Sequence, residues 1–223
     1  MSHAPTITAH PTLPELTAQY EAIYRASGGD LARIPWAHAK ACPALLAWLN
    51  AEAPSLIRPG ARVAVTGCGL GTDAKALIDR GYEVTAIDCC AAAIELARKN
   101  YPAHAQCFMS ADLLDLPDRL CGRFDLVVEV HTIQAVPPED RARIACGMAR
   151  LLNHRGMVVA IARGRADGTS LDDYTQPPFA FVPEEFLATM EAAGLVPVRP
   201  IDDFMDDNDP PVRRLRGLFR RPG

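Results

Sequence analysis

The segment Val63-Ala64-Val65-Thr66-Gly67-Cys68-Gly69-Leu70-Gly71 constrains this chain more than any other. An apolar run passes through three glycines at alternate positions and straight into the helix-like stretch Thr72-Asp73-Ala74-Lys75-Ala76-Leu77-Ile78. A strand that turns sharply into a helix, with its backbone left bare for a ligand, needs positions without Cβ atoms. The dinucleotide fingerprint G-x-G-x-x-G would require glycine where Thr72 stands, so the spacing here is G-x-G-x-G instead. A second run, Tyr82-Glu83-Val84-Thr85-Ala86-Ile87, ends in Asp88, whose carboxylate can accept hydrogen bonds from ribose hydroxyls. Loop and acid together point to an adenosine-bearing ligand.

Two further segments follow in order, Ser110-Ala111-Asp112-Leu113-Leu114-Asp115-Leu116 and Phe124-Asp125-Leu126-Val127-Val128-Glu129-Val130-His131. With these four motifs the chain resembles the class I S-adenosylmethionine-dependent methyltransferases over about residues 55 to 221. The resemblance implies a cofactor site built from Thr66, Gly67, Cys68, Gly69 and Gly71, with Asp88 on the ribose and Cys89 beside it. It also implies that Asp112 and Leu113 face the adenine and that Glu129 and Val130 lie by the methionine part. S-adenosyl-L-methionine would be the donor and S-adenosyl-L-homocysteine the product. Ile34-Pro35-Trp36 is similar to the Pro-Trp that closes over the cofactor in the thiopurine, thiol and halide group, although Ala37-His38-Ala39 replaces that group's Asp-containing continuation. Trp36 as a plain packing residue is the alternative.

The fold class expected is α/β: a Rossmann-like, seven-stranded sheet, mostly parallel with an antiparallel last strand, and helices on both faces. Alternating elements give that pattern, with strands expected near 61–66, 83–88, 105–109, 124–130, 157–163, 196–202 and 212–220. Helices are expected over Cys90 to Asn100 and Pro138 to Leu152 from their apolar spacing. The Asp/Asn/Pro-rich stretch 202–211 is too short for a crossover helix and predicts a hairpin. A single methyltransferase domain is expected, with residues 1–54 as a helical cap and 55–221 as the core. Leu13, Leu16, Tyr20, Ile23 and Tyr24 share one helical face in that cap, ahead of the break Gly28-Gly29-Asp30, and Leu45, Leu46, Trp48 and Leu49 mark a second helix.

A chain of 223 residues suits one such domain. The net charge of -4 argues against a nucleic-acid surface, which needs cations to neutralise phosphates, so a small-molecule substrate is expected. No apolar run reaches the length of a spanning helix, and Met1 to Pro14 lacks the pattern of a secretory leader, which together predict a cytoplasmic protein without membrane contact. Nothing in the residues demands more than a monomer or a weak homodimer. The seven cysteines lack a repeated C-x-x-C pattern and read as reduced thiols, with no metal site expected. Cys68, inside the loop, reads as a small space-filler rather than a nucleophile.

Transfer of a sulfonium methyl needs mainly alignment and exclusion of water, and orientation can supply about 7–11 kcal/mol. A thiolate, halide, metalloid or similar soft anion needs no base. A neutral thiol or alcohol would benefit from one, and His131, at the end of the fourth strand with Thr132 and Gln134, is the candidate. A structural imidazole is its plain alternative. Arg163 and Arg165 could hold an anionic substrate, and the loop from Gly168 to Phe181, with Tyr174, could act as a substrate lid. The tail arginines Arg213, Arg214, Arg216, Arg220 and Arg221 follow five aspartates and read as solvated hairpin charges. The absence of a D/N-P-P-[FYW] motif after the fourth strand counts against methylation of amino groups on DNA bases or glutamine. An NAD-dependent oxidoreductase and a non-catalytic, methyltransferase-like binding module are the alternatives.

Overall fold

The structure, a computed structural model, describes residues 10–222. Residues 1–9 and 223, and with them most of the segment read for a leader, lie outside the described residues. In chain order the elements are α1 (Leu13–Ser27), α2 (Pro43–Ala51), α3 (Ala53–Leu56), β1 (Arg62–Thr66), α4 (Thr72–Ile78), β2 (Glu83–Asp88), α5 (Ala91–Asn100), β3 (Phe108–Ser110), β4 (Phe124–Val130), α6 (Arg141–Leu151), β5 (Leu152–Arg163), α7 (Pro183–Ala192), β6 (Val196–Pro197), β7 (Asp202–Met205) and β8 (Arg213–Arg220).

One sheet runs β3-β2-β1-β4-β5-β8-β6, and β7 also pairs with β8. The first five positions are parallel to one another and β8 is antiparallel to its neighbours. Strand alternation divides the core between the two faces. Val63, Val65, Leu126 and Val128 pack towards α2, α4 and α5 with Leu45, Trp48, Leu77 and Ile94. Ala64, Val127, Val158 and Ala160 pack towards α6 and α7 with Ile144, Met148, Phe186 and Met190. Among the described residues no helix is long and apolar enough to cross a membrane.

The sheet has eight strands rather than the expected seven. The stretch expected as one strand over 196–202 is split into β6 and β7 along the same edge of β8. Pro197 and Pro200 carry no N–H for a ladder, and between them only the Val198 N–H reaches across, to the Leu218 carbonyl at 2.8 Å. The strand expected at 105–109 begins later, at Phe108, because Pro102 starts a 3-10 stretch that runs to Cys107. β5 begins at Leu152, earlier than 157, and accommodates the extra length by a register shift against β4 between Phe124 and Leu126.

The N-terminal helix forms where its sequence signals it. Glu15 accepts from the Thr12 N–H at 2.8 Å and from the Thr12 hydroxyl at 2.7 Å, and Gly28 ends the helix with a φ of 60°. Its buried side meets α5 and the glycine loop through Tyr24, Ile34, Leu70, Cys90 and Ala93.

Candidate active site

β1 lies between β2 and β4, and the chain order reverses direction across it, which opens a crevice at the carboxyl ends of these strands. The glycine loop sits there. Gly67 has a φ of 58°, and a Cβ on it would stand 2.2 Å from the Thr132 hydroxyl oxygen. That hydroxyl donates to the Thr66 carbonyl at 3.1 Å, so the loop and the end of β4 are locked at a distance only glycine permits. Gly71, with a φ of 86°, is held against the Phe108 ring, whose Cε1 would be 2.6 Å from an added Cβ. Part of the glycine pattern thus serves packing of the protein on itself.

Asp88 ends β2 and fixes the loop. One carboxylate oxygen accepts from the Gly69 N–H and the other from the Cys90 N–H, both at 2.9 Å. Burial pushes the carboxyl above its ordinary range and these two N–H groups oppose the shift. Each oxygen keeps a lone pair for a further donor. Ala111 donates its N–H to the Asp88 carbonyl at 3.0 Å, which brings Asp112 to the same edge, exposed, with its own carboxylate accepting from the Leu114 N–H at 2.8 Å. Leu113 is buried against α6. Cys68 is buried, and burial followed by the charge of Asp88 raises its thiol well above the ordinary range, which suits space-filling. The carboxylate of Asp88 and the thiols of Cys89 and Cys90 bring three potential ligand atoms within 4.8 Å of one another. The Cys90 thiol is pushed up by its hydrogen bond with Cys89 and then by burial, and Asp88 is already engaged with the backbone.

Glu129, opposite Thr66 in the β1–β4 ladder, is fully buried. Its Oε1 accepts from the N–H groups of Thr132 at 2.6 Å and Ile133 at 3.0 Å, and its Oε2 has no partner. Burial raises its pKa from 4.5 to about 7. A carboxyl whose folded pKa lies above its unfolded one binds its proton more tightly when folded. Its favourable contribution is complete below about 4.5 and is lost as pH rises through about 7. Glu129→Gln should therefore be close to neutral at pH 5 and should gain stability relative to wild type at pH 8, by at most about 3 kcal/mol. Denaturant titrations of both proteins at the two pH values read this directly, and parallel pH dependences would show that Glu129 titrates normally.

Over the crevice lies α1. The Tyr20 hydroxyl donates to the Ala135 carbonyl at 2.6 Å, and Glu21 accepts from the Ala92 N–H at 3.0 Å. Trp36 donates its indole N–H to the Tyr24 hydroxyl at 2.8 Å, and that hydroxyl stands 3.0 Å from where a Gly69 Cβ would be. Tyr20 and Tyr24 both meet the Trp36 ring edge-on. Trp36, still 38% exposed, is therefore part of an aromatic cover on the glycine loop. Tyr20 and Tyr24 read in the sequence as a packing face, and their contacts with the loop and with Ala135 span separations no local pattern encodes.

His131 follows β4 in the left-handed region, with a φ of 65°, and its N–H donates to the Ile161 carbonyl at 2.9 Å. Burial, followed by the charge of Arg214, lowers its pKa to about 3. It is neutral at physiological pH, and its Nε2 lies 3.2 Å from Arg214 Nη1. A guanidinium only donates, so the Nε2 lone pair is engaged and the ring proton sits on Nδ1. That arrangement removes the lone pair a general base would use. Val130 lies half-buried beside it at the end of β4.

Arg165, read from the sequence as a residue for an anionic substrate, is engaged within the protein. It is buried, and its guanidinium forms a two-pronged pair with Glu185 while donating to the carbonyls of Ala180 at 2.8 Å and Thr169 at 2.9 Å. Together those bonds stitch the 168–181 loop to α7. Arg163 is exposed, and its backbone N–H donates to the side chain of Gln134. The end of the loop is anchored: Phe179 and Phe181 are buried, and Phe179 donates its N–H to the Gln134 carbonyl at 2.8 Å. Tyr174, half-buried, lies near Arg165. The tail arginines are likewise not simply solvated. Arg213 pairs with Asp203 and Asp167, Arg216 with Asp202 and Glu52, and Arg214 with Asp206, the last two side chains being 14% and 12% exposed. The hairpin folds acids and bases onto each other on the flank of the crevice.

Residues 63–156 match the methyltransferase domain family. That match takes in β1, β2, β3 and β4, and so the glycine loop, Asp88, Asp112 and Glu129. Over that segment the chain is similar to methyltransferase domains. The chain is 29% identical over 175 residues to a ubiquinone biosynthesis O-methyltransferase of Alkalilimnicola ehrlichii, an alignment that covers 73% of this chain and 66% of that protein. The chain thus spans just under two thirds of that curated relative. In fold it is similar to the protein studied in the conversion of a disulfide bond into a thioacetal group during echinomycin biosynthesis, with a TM-score of 0.73 and 24% identity over 92% of this chain and 93% of the other. It is also similar to the 1,6-didemethyltoxoflavin-N1-methyltransferase of Burkholderia thailandensis, solved with S-adenosylhomocysteine, with a TM-score of 0.72 and 21% identity over 100% of this chain and 94% of the other.

Proposed function

We propose that this protein transfers the methyl group of S-adenosyl-L-methionine to a small-molecule nucleophile bound at the carboxyl ends of β1 and β4, under the aromatic cover of α1. The observation that carries the reading is the unpartnered Oε2 of Glu129, a buried acceptor beside the glycine loop. A zwitterionic, ribose-bearing cofactor supplies what the site lacks: an ammonium for Glu129 and hydroxyls for Asp88. The bound donor provides an electrophilic methyl on a sulfonium centre. The protein's own residues orient the acceptor and exclude water, with Tyr20, Tyr24 and Trp36 forming the cover. In this reading the segment ahead of β1 acts as cap to one methyltransferase core, and Trp36 plays the closing part its Pro-Trp context suggests.

The acceptor is a nucleophile that needs no base from the protein, since the His131 lone pair is engaged by Arg214. Thiols and other soft anions, thiopurines, halides and metalloid anions among them, meet that condition. Acidic phenols meet it as well. The relatives' chemistries, O-methylation in one and N1-methylation in another, span the same breadth of small acceptors.

Calorimetric titration with S-adenosylhomocysteine, with NAD as the comparison ligand, tests the cofactor reading. Micromolar binding of the first and none of the second is expected. An ammonium beside Glu129 favours its ionised form, so binding near pH 7 should release up to about one proton. The heat should then depend on the ionisation enthalpy of the buffer, and this dependence should vanish in Glu129→Gln. Preferential NAD binding, or none of either ligand, would remove the proposal. Tight S-adenosylhomocysteine binding without methylation of any acceptor anion would leave a cofactor-binding module.

A further inference from the structure

Resting on the methyltransferase reading, a finer feature at the end of β4 bears on the ionisation state of the acceptor. Asp206 Oδ1 accepts from the N–H groups of Val212 at 2.8 Å and Asn208 at 3.2 Å, and Asp206 Oδ2 accepts from Arg214 Nε at 2.7 Å. This clamps the guanidinium in place, and its Nη1 reaches the Nε2 of His131 at 3.2 Å. Two donors are left over, Arg214 Nη2 and the Nδ1–H of His131, with no protein acceptor among the described residues. The charges that bear on His131 come from several elements: Arg214 of β8, His38 of the segment before α2, Arg163 at the end of β5, and Asp206 after β7, the one acid of the set. His131 is held here with a φ of 65°, a strained backbone for a residue with a side chain.

We propose that Arg214 and His131 form an anion subsite that receives the methyl acceptor with its nucleophilic atom already deprotonated, Arg214 as the charged partner and His131 as a neutral donor. The acceptor loses its proton to solvent on or before binding. Its lone pair then forms the new bond to the methyl carbon as the sulfur–methyl bond breaks, and that electron pair stays on sulfur, turning the sulfonium into a neutral thioether. No proton moves in the transfer step. Arg214 and Asp206 act as positioning residues for His131 as well as supplying the field.

The probe is 4-nitrophenol, whose phenol and phenolate absorb at different wavelengths, bound to the protein saturated with S-adenosylhomocysteine. At a pH below its own pKa, the bound probe should show the phenolate spectrum, with an apparent pKa about one unit lower than in solution, a tenfold preference for the anion. Arg214→Gln should return the bound pKa to the free value while S-adenosylhomocysteine affinity stays the same, and Arg214→Lys should keep part of the shift. A probe bound as the neutral phenol, a probe not retained at all, or an undiminished shift in Arg214→Gln would overturn the assignment. The wild-type titration decides the protonation state even where a variant fails to fold. Failure of S-adenosylhomocysteine to bind would instead strike the broader methyltransferase reading.

Discussion

Gly67→Ala is expected to lower the melting temperature by about 6–12 °C and to abolish measurable S-adenosylhomocysteine binding. Two independent costs combine. An L-residue in the left-handed region costs about 1–2 kcal/mol, and Gly67 has a φ of 58°. The added Cβ would also stand 2.2 Å from Thr132 Oγ1 and 2.8 Å from Thr132 Cγ2, an overpacking of about 1–3 kcal/mol that forces the hydroxyl off the Thr66 carbonyl. A total of about 3 kcal/mol, at about 2–4 °C per kcal/mol for a domain of this size, gives the stated range. The double variant Gly67→Ala/Thr132→Ala relieves the clash and leaves the dihedral strain, so it should recover part of the loss. Thermal melts of the two single variants and the double form a cycle that separates the contributions. Additive losses would mean that Thr132 does not limit the loop.

Asp88→Ala is expected to weaken S-adenosylhomocysteine binding by a hundredfold or more. The carboxylate accepts from the N–H groups of both Gly69 and Cys90, so its loss frees the loop and the start of α5 together and, on the proposed reading, removes the acceptor for the ribose. A hydrogen bond to a charged group contributes about 1.5–3 kcal/mol, and losing more than one makes about 3 kcal/mol a fair expectation. Asp88→Asn keeps one acceptor oxygen but turns an NH2 towards one of the two N–H donors, so it should fall between wild type and alanine. Calorimetry on the three proteins gives the order. Equal affinities across the series would take Asp88 out of the site.

These two residues stand out in the sequence because their positions are local features. A glycine at the turn from β1 to α4 and an acid at the end of β2 announce themselves by their place in a strand-loop-helix pattern. The same holds for a mostly parallel sheet with an antiparallel last strand, which follows from alternating elements and one connection too short for a helix, whereas the order β3-β2-β1-β4-β5 does not. Glu129 was legible by position, but its unpartnered oxygen was not. Arg165 and Arg214 went the other way. From the sequence Arg165 is a rim arginine and Arg214 a solvated hairpin charge. In the structure Arg165 is buried against Glu185 and spent on the loop, while Arg214 sits 3.2 Å from His131. His131 itself was correctly placed at the end of β4, yet its candidacy as a base depended on a lone pair that a residue far along the chain occupies.

The sequence by itself determined the layered α/β frame, the glycine loop between β1 and α4, and the acid that ends β2. Each of these depends on backbone conformation and on hydrophobic period, which neighbouring residues dictate. Only the tertiary structure decided that Thr132 is what requires Gly67, that Tyr24 and Trp36 close over Gly69, and that Asp206, Arg214 and His131 form one chain of hydrogen bonds. The contacts of Thr132 with Gly67, of Tyr24 with Gly69 and of Arg214 with His131 join segments tens of residues apart. Their energies turn on ångström-scale distances and on burial, which shifts the His131 imidazole and the Glu129 carboxyl far from their values in water. Neither distance nor burial is written in the order of the residues until the sheet has brought them together.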